Sequence, residues 1–126
     1  MQIIVDSSIL IDHLRGFKKA TQKIDELKES GSQCYISVIT EAEVLSGKDY
    51  ENEDKRKDVL DLLQFFSKIN IDSSTAQKAA EFRRKYGVSL DDCIIAATAF
   101  HEKCILWTKN AEDFKRIKEI EVKEPY

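Results

Sequence analysis

Hydrophobic positions along the chain follow two patterns. Short apolar runs rich in β-branched residues, without polar alternation, are typical of strands covered on both faces. They predict strands over residues 3–5, 35–39, 69–71 and 104–107, with 121–123 as a fifth candidate. Between them apolar residues recur at helical spacing, which predicts helices over residues 7–15, 17–30, 40–45, 59–66, 73–86, 89–99 and 110–117. Residues 48–58 are almost wholly charged and show no apolar period, so we expect a solvated loop there.

Short buried strands that alternate with helices imply a parallel sheet between two helical layers. The expected fold is therefore α/β: a three-layer α/β/α sandwich with a short parallel central sheet. Residues 1–126 are expected to form one domain, because 126 residues are too few for two ordinary domains. The helix over 89–99 is apolar nearly all round after its first turn, which indicates a buried helix.

Composition narrows the class of protein. Hydrophobic residues make up 42% and charged residues 34%, with four Gly and one Pro, which is typical of a globular chain. No apolar run approaches the roughly 20 residues of a membrane helix, and the start resembles no signal peptide, so we expect a cytoplasmic protein without a membrane partner. An odd number of cysteines, without a C-x-x-C pair or zinc spacing to histidine, argues against a disulfide scaffold and a zinc site: Cys34, Cys93 and Cys104.

The charge balance bears on nucleic-acid binding. Twenty Lys and Arg against twenty-three Asp and Glu give a net charge of −3, so the chain as a whole does not attract a polyanion. Binding of nucleic acid would need local basic patches or bound cations. The candidate basic groups, each of which is more often a solvated helix face, are Arg15, Lys18 and Lys19; Arg83, Arg84 and Lys85; and Lys109.

Acidic and amide side chains fall at or near the carboxyl ends of the predicted strands, where open parallel sheets form their sites. Asp6 follows the first strand, Glu43 lies four residues after the second, and Asp92 opens the buried helix. Asn110 and Asp113 follow the fourth strand. If these strands are neighbours, the carboxylates converge and repel one another unless a cation binds. Ligands that are all oxygen favour Mg²⁺ or Mn²⁺.

Helix capping is the competing explanation for the same residues. Three spacings resemble capping boxes or their shorter acidic variant, and the aspartate after the first strand is itself a candidate N-cap: Thr40-x-x-Glu43, Ser89-x-x-Asp92, Asn110-x-x-Asp113 and Asp6. Any one of them alone is more often a cap than a ligand. Capping does not explain why a carboxylate opens so apolar a helix, where burial without a partner is costly. One residue can also serve both roles.

Four sequence blocks resemble the signature blocks of PIN-domain ribonucleases, and most closely those of the toxins of the virulence-associated protein C type (VapC). The blocks are IIVDSS at 3–8, ISVITEAE at 36–43, DCIIAATA at 92–99 and TKNAEDF at 108–114. They occur in the family order and span most of the chain. The resemblance implies a PIN-like fold and a metal-dependent endoribonuclease that uses Mg²⁺ or Mn²⁺ and cleaves RNA. It also implies a homodimer that is held inactive by a cognate antitoxin protein.

Matched block by block, Asp6, Glu43 and Asp92 fall on the three acidic metal-site positions of the family. The fourth position is often Asp in the family but is Asn110 here, with Asp113 three residues on. The resemblance therefore implies catalytic roles for Asp6, Glu43, Asp92 and Asn110, and metal ligation by Asp6, Asp92, Glu43 and Asp113. Asp91, beside Asp92, is an alternative ligand. The resemblance leaves open whether the site binds one metal ion or two.

The implied chemistry is hydrolysis of a phosphodiester. An ion held by Asp6 and Asp92 would activate a bound water and neutralise charge on the phosphate. Glu43 and Asn110 would bind through water or orient the attacking group. Hydroxyls that could support these ligands, or equally cap a helix or bond to backbone, are those of Ser8 and Thr108.

Two other classes of function compete with this hypothesis. The first is a catalytically silent PIN-fold module that binds RNA or a protein partner, which Asn110 at the fourth position keeps open. The second is aspartyl-phosphate chemistry. A haloacid-dehalogenase-like phosphatase needs a second Asp two residues after the first, where Ser8 stands, and a receiver domain would have only Asp72 after the third strand.

Overall fold

A five-stranded parallel sheet forms the centre of the fold. The computed structural model describes residues 1–126. Its strands are β1 (Gln2–Val5), β2 (Gln33–Ser37), β3 (Ser67–Ile69), β4 (Ile105–Trp107) and β5 (Glu121–Lys123). The strand order is β3-β2-β1-β4-β5, and all four pairs of neighbours are parallel. The central strand is therefore the first strand of the chain.

Eight helices connect and cover these strands. They are α1 (Ser7–Leu14), α2 (Lys18–Ser30), α3 (Val38–Leu45), α4 (Lys48–Glu51), α5 (Glu53–Phe65), α6 (Ser73–Tyr86), α7 (Leu90–Glu102) and α8 (Ala111–Phe114). No helix is both long and apolar enough to cross a bilayer.

The central strand supplies side chains to both faces of the sheet. Ile3 and Val5 join a core with residues of α1, α2, α3 and α5, whereas Ile4 joins a second core with residues of α6, α7 and α8. Because successive side chains of a strand point to opposite faces, a run of three apolar residues requires cover on both sides. Ile4 and Val5 are completely buried, and each such side chain contributes about 1.5–3 kcal/mol relative to exposure. The predicted three-layer α/β/α sandwich is confirmed.

Two predicted strands have different bounds in the structure. The strand predicted over 35–39 ends at Ser37, and Val38 and Ile39 open α3 instead. The Ser37 hydroxyl accepts a hydrogen bond from the Ile39 amide at 3.2 Å, which starts the helix. The strand predicted over 69–71 lies at Ser67–Ile69, two residues earlier. A short β-branched run does not distinguish a strand end from a helix start, so the cap decides the boundary.

The prediction of a loop over residues 48–58 is wrong. These residues form α4 and the first half of α5, separated by Asn52. The Asn52 side chain caps α5 by accepting from the Asp54 amide at 2.9 Å. Residues 53–58 are exposed or only partly buried, so this part of the helix has no buried face. A helix without a buried face shows no apolar period, which is why the pattern missed it.

The direction of chain connection changes beside the central strand. The chain leaves β1 for β2 and β3 on one side, then returns through α6 and α7 to place β4 on the other side of β1. In parallel sheets such a switch point leaves a crevice beyond the carboxyl ends of the two strands. The segments that follow β1 and β4 therefore line this crevice together.

Candidate active site

Asp6 lies in this crevice, directly after the central strand, and is 6% exposed. Its backbone amide donates to the Trp107 carbonyl at 2.9 Å, which holds the ends of β1 and β4 together. Its carboxylate oxygen Oδ2 accepts from the hydroxyls of Ser8 at 3.0 Å and Thr108 at 2.9 Å. Asp6 occupies the N-cap position of α1 but makes no capping hydrogen bond. The other carboxylate oxygen, Oδ1, has no donor within the protein.

Two hydroxyls fix the orientation of the Asp6 carboxylate. Thr108 Oγ1 accepts from the Asn110 amide at 2.9 Å, and Ser8 Oγ accepts from the Lys109 amide at 3.1 Å. Because each hydroxyl accepts from the backbone, its own proton is directed at Asp6. Ser8 and Thr108 therefore support Asp6, which is one of the two roles that the sequence left open for them, and they couple it to the loop after β4.

Asp92 lies opposite, in the first turn of α7. The Ser89 hydroxyl caps this helix and accepts from the Asp92 amide at 3.4 Å. The Asn110 side-chain amide Nδ2 donates to Asp92 Oδ2 at 3.3 Å. Asn110 occupies the N-cap position of α8 without capping it, so its side chain serves Asp92 instead. The structure thus links Asp6 and Asp92 through Thr108 and Asn110.

The remaining acidic residues act on this pair through their charge. The pKa of Asp92 is raised by burial first, and then by the charges of Asp6, Asp113 and Asp91, while a contact with the Ser89 hydroxyl lowers it. The pKa of Glu43 is also raised by burial, and then by Asp6 and Asp91. Because Glu43 is largely exposed on α3, we give more weight to the repulsion by Asp6 and Asp91 than to burial as a cause of its raised pKa. Asp92 and Glu43 are therefore each within electrostatic range of Asp6 and Asp91.

No basic side chain neutralises this cluster. Asp6, Glu43, Asp92 and Asp113 take part in none of the seven ion pairs of the chain. Nor do three acidic, Cys or His side chains approach one another closely enough to form a ready metal cage. Like charges without a cation between them are expected to stay apart. A set of carboxylate and amide oxygens fits a hard divalent cation. One of these oxygens, Asp6 Oδ1, accepts no hydrogen bond within the protein.

Helix capping explains little of this arrangement. Asp6 and Asn110 hold cap positions but do not cap, and the cap of α3 is Ser37 rather than Thr40. The Thr40 hydroxyl is buried without a hydrogen-bond partner. Only Ser89 acts as the sequence spacing suggested, and its cap places Asp92 at the mouth of the crevice.

Asp72 has a structural role that argues against the receiver-type alternative. Its Oδ1 atom accepts from both the amide and the hydroxyl of Thr75, at 2.9 Å and 3.0 Å, and caps α6. These hydrogen bonds also lower the pKa of Asp72. Arg83, a candidate for binding nucleic acid, is likewise occupied because it donates to the carbonyls of Gly87 and Val88.

Sequence reasoning missed contacts made by the segment after β5. The Lys109 ammonium pairs with Glu124 Oε1 at 3.1 Å, donates to the Tyr126 carbonyl and lies 4.5 Å from the centre of the Tyr126 ring. The Tyr126 hydroxyl donates to Asp12 Oδ2 at 2.7 Å. Lys109 is separated by 15 and 17 residues from these two partners, and no sequence pattern predicts contacts over such distances. Ser7 was also missed; its hydroxyl opposes the rise in the pKa of Glu43.

Comparison with known proteins identifies the relatives of this chain. The family model of the PIN domain matches residues 3–120. The chain is 35% identical to Ribonuclease VapC1 of Methanocaldococcus jannaschii, over 97% of this chain and 85% of that protein. It is 32% identical to Ribonuclease VapC of Rickettsia bellii, over 97% of this chain and 95% of that protein.

A solved structure has the same fold over nearly the whole chain. It is a toxin–antitoxin complex from Klebsiella pneumoniae, with a TM-score of 0.83 and 33% sequence identity, covering 98% of this chain and 98% of that one.

Proposed function

Because this chain belongs to the PIN-domain family of VapC ribonucleases, we propose that it is a metal-dependent endoribonuclease and the toxin of a toxin–antitoxin pair. The observation that carries the proposal is the group of carboxylates at the switch point of the sheet, which repel one another and have no cationic partner in the protein. Such a group is the expected binding place of Mg²⁺ or Mn²⁺.

The proposed ligands are Asp6 and Asp92, with Glu43 and Asp113 completing the set, directly or through water. A divalent ion bound there would lower the pKa of a water molecule and neutralise charge that develops on the phosphate. Ser8 and Thr108 keep the Asp6 carboxylate oriented, and Asn110 does the same for Asp92. Asn110 therefore acts in this proposal as a neutral positioning group rather than as a fourth carboxylate.

The same proposal covers partners and location. The substrate is RNA, and the Klebsiella neighbour, a toxin–antitoxin complex, supports a cognate antitoxin as the protein partner. An antitoxin that inhibits this site would cover the acidic crevice, with a basic side chain in the place of the metal ion. A homodimer in the cytoplasm completes the proposal, and light scattering of the purified protein distinguishes a dimer from a monomer.

A second candidate is a PIN-fold module that binds RNA without cleaving it. The observation in its favour is Asn110, whose amide occupies the position where the family often has a fourth carboxylate. In that case RNA would bind without metal and remain intact.

The decisive experiment compares wild-type protein with Asp6→Asn and Asp92→Asn on total RNA, with Mn²⁺ and with EDTA. We expect each substitution to reduce metal-dependent cleavage by at least about 100-fold, because it removes a charged ligand of the ion. Titration calorimetry with Mn²⁺ should lose its binding heat in the same variants. Asn110→Ala should reduce cleavage less than Asp92→Ala, because it removes only a positioning contact.

Asp25→Asn is the matched control, since Asp25 is exposed on α2 and forms no ion pair. It should retain wild-type cleavage and Mn²⁺ binding. Wild-type cleavage by Asp6→Asn or Asp92→Asn would refute the assigned site. RNA binding in EDTA, without any cleavage by the wild-type protein in Mn²⁺, would favour the silent module.

A further inference from the structure

A cavity that belongs to no assigned site lies beside the acidic crevice. It has a volume of about 500 Å³ and is lined by Asp12, Arg15, Gly16, Phe17 and Lys109. Arg15 also lines a neighbouring cavity of about 230 Å³ together with Glu43 and Lys48. Arg15 therefore stands between the Lys109 cavity and the Glu43 side of the proposed active site.

Lys109 connects this cavity to the Asp6 carboxylate. Its backbone amide donates to Ser8 Oγ at 3.1 Å, and the same hydroxyl donates to Asp6 Oδ2 at 3.0 Å. Two hydrogen bonds thus separate the Lys109 backbone from a proposed metal ligand. A strand of RNA whose scissile phosphate lies at Asp6 would have a flanking nucleotide within reach of this cavity.

The two basic groups of the cavity are available to an anion. The Arg15 side chain forms no hydrogen bond or ion pair. Only the backbone amide of Arg15 is engaged, at the C-cap of α1. The Lys109 ammonium pairs with Glu124 and also contacts the carbonyl and the ring of Tyr126, but both side chains of the ion pair are partly exposed. Exposed ion pairs contribute only about 0–1 kcal/mol, so a phosphate can replace Glu124 at Lys109.

An aromatic surface adjoins these charges. Phe17 is 47% exposed, and its ring lies 5.6 Å from the Tyr126 ring at an interplanar angle of 49°. The Tyr126 hydroxyl donates to the Asp12 carboxylate, and this hydrogen bond holds the Tyr126 ring in place. Asp12 is the one acidic side chain that lines the cavity, and its carboxylate is therefore already engaged. Exposed aromatic rings beside basic groups are the usual platform for the bases of single-stranded nucleic acid.

We propose that Arg15, Phe17 and Lys109 form a subsite for the nucleotide that flanks the scissile phosphate of a single-stranded RNA. Arg15 and Lys109 bind its phosphate, and Phe17 stacks on its base. Glu124 competes with that phosphate for Lys109 and so weakens substrate binding. This inference rests on the proposed nuclease function and adds to it a binding site for the substrate.

The test measures binding of a labelled single-stranded RNA of mixed sequence by fluorescence anisotropy in EDTA, so that metal-dependent cleavage does not interfere. Arg15→Gln and Lys109→Gln should each raise the Kd about threefold to tenfold. Each should also reduce the slope of log Kd against log salt concentration by about 0.7, the value for one lost phosphate contact on a single strand. Glu124→Gln should act in the opposite direction and lower the Kd, because it removes the competitor.

Matched variants separate these effects from general changes in charge. Lys118→Gln removes an exposed lysine that precedes the amino end of β5, at the edge of the sheet remote from the crevice, and should leave the Kd and the salt slope unchanged. Phe17→Leu should raise the Kd about fivefold or more, because stacking requires a π-face, whereas Phe17→Tyr should restore it. Unchanged melting temperatures would show that all variants are folded.

The outcomes distinguish the subsite from the nuclease function. If the wild-type protein binds and cleaves RNA but Arg15→Gln and Lys109→Gln behave like Lys118→Gln, the subsite is wrong and the nuclease proposal stands. A Glu124→Gln variant that binds RNA more weakly than wild type would also overturn the subsite. If the wild-type protein neither binds nor cleaves RNA, both proposals fail.

Discussion

Single side chains in the crevice are arranged to bind a positive charge, and no basic side chain of the protein supplies one. Asp92 is partly buried, its pKa is raised, and its one hydrogen-bonded side-chain neighbour across the crevice is the neutral amide of Asn110. A basic residue at position 110 would have neutralised Asp92. The asparagine orients the carboxylate without cancelling its charge, so the negative potential of the crevice is retained for a cation.

The raised pKa of Asp92 predicts how stability changes with pH. A carboxyl whose folded-state pKa exceeds its ordinary value of 3.8 binds more protons in the folded state. Its favourable contribution is present below that value and is lost as the pH rises through the raised pKa. In EDTA at pH 7, Asp92→Asn should therefore be more stable than wild type by about 0.5 kcal/mol, because solvent screens part of the repulsion.

Thermal melts between pH 4 and pH 7 check this prediction. The difference in melting temperature between Asp92→Asn and wild type should shrink as the pH falls, whereas Asp25→Asn should show no such trend. With Mn²⁺ at about 100 times its Kd, wild type should gain about 2.7 kcal/mol and Asp92→Asn much less. A metal-free Asp92→Asn that is less stable than wild type at pH 7 would mean that the carboxylates do not repel one another.

At the scale of elements, hydrogen bonds at helix starts decide boundaries that hydrophobic patterns leave open. Ser37 ends β2 and starts α3, and Ser89 starts α7 so that Asp92 falls in its first turn. A shift of either start by one residue would turn the following side chains by about 100° around the helix axis. The caps therefore contribute to the site as well as to stability.

The cap of α5 provides a test at this scale. Asn52→Ala removes the acceptor of the Asp54 amide, which should destabilise the protein by about 1 kcal/mol. Asn52→Asp retains a side-chain oxygen at the cap and should cost much less. Urea unfolding measures both, and cleavage of RNA should be unaffected, because α5 supplies none of the proposed ligands. Equal stability of Asn52→Ala and wild type would show that the cap contributes nothing.

At the scale of the whole molecule, two separate cores hold the crevice open at the edge of the sheet. One core lies under α1, α2, α3 and α5, and the other under α6, α7 and α8. Asp6 directly follows the strand shared by both cores, Glu43 lies on a helix of one face and Asp92 on a helix of the other. The site therefore requires both helical layers.

Three cysteines distributed over these cores predict the behaviour of the whole fold toward thiol reagents. Cys34, Cys93 and Cys104 are free and buried, and burial raises the pKa of all three, to about 11 for Cys104. Few thiolates exist at pH 8, so the native protein should react slowly with Ellman's reagent, and all three thiols should react after denaturation. Reducing agents should leave the melting temperature unchanged. Rapid reaction of the native protein would indicate that one of the cores opens.

The sequence alone determined the layers of the fold and predicted the acidic residues that we propose as ligands. Runs such as Ile3-Ile4-Val5 require cover on both faces, and four short blocks in order resemble one family. These signals are local, since each depends on neighbouring residues or on helical spacing. For the same reason the exposed start of α5 was missed, because it buries no face that a pattern could record.

Only the tertiary structure decided which groups meet. The hydrogen bond between Asn110 and Asp92 joins the segment after β4 to the start of α7, and no sequence spacing encodes that arrangement. The same holds for Glu124 and Tyr126, which reach Lys109 only because β5 returns beside β4. Contacts between distant segments follow from the order of strands in the sheet, and that order is a property of the packed molecule.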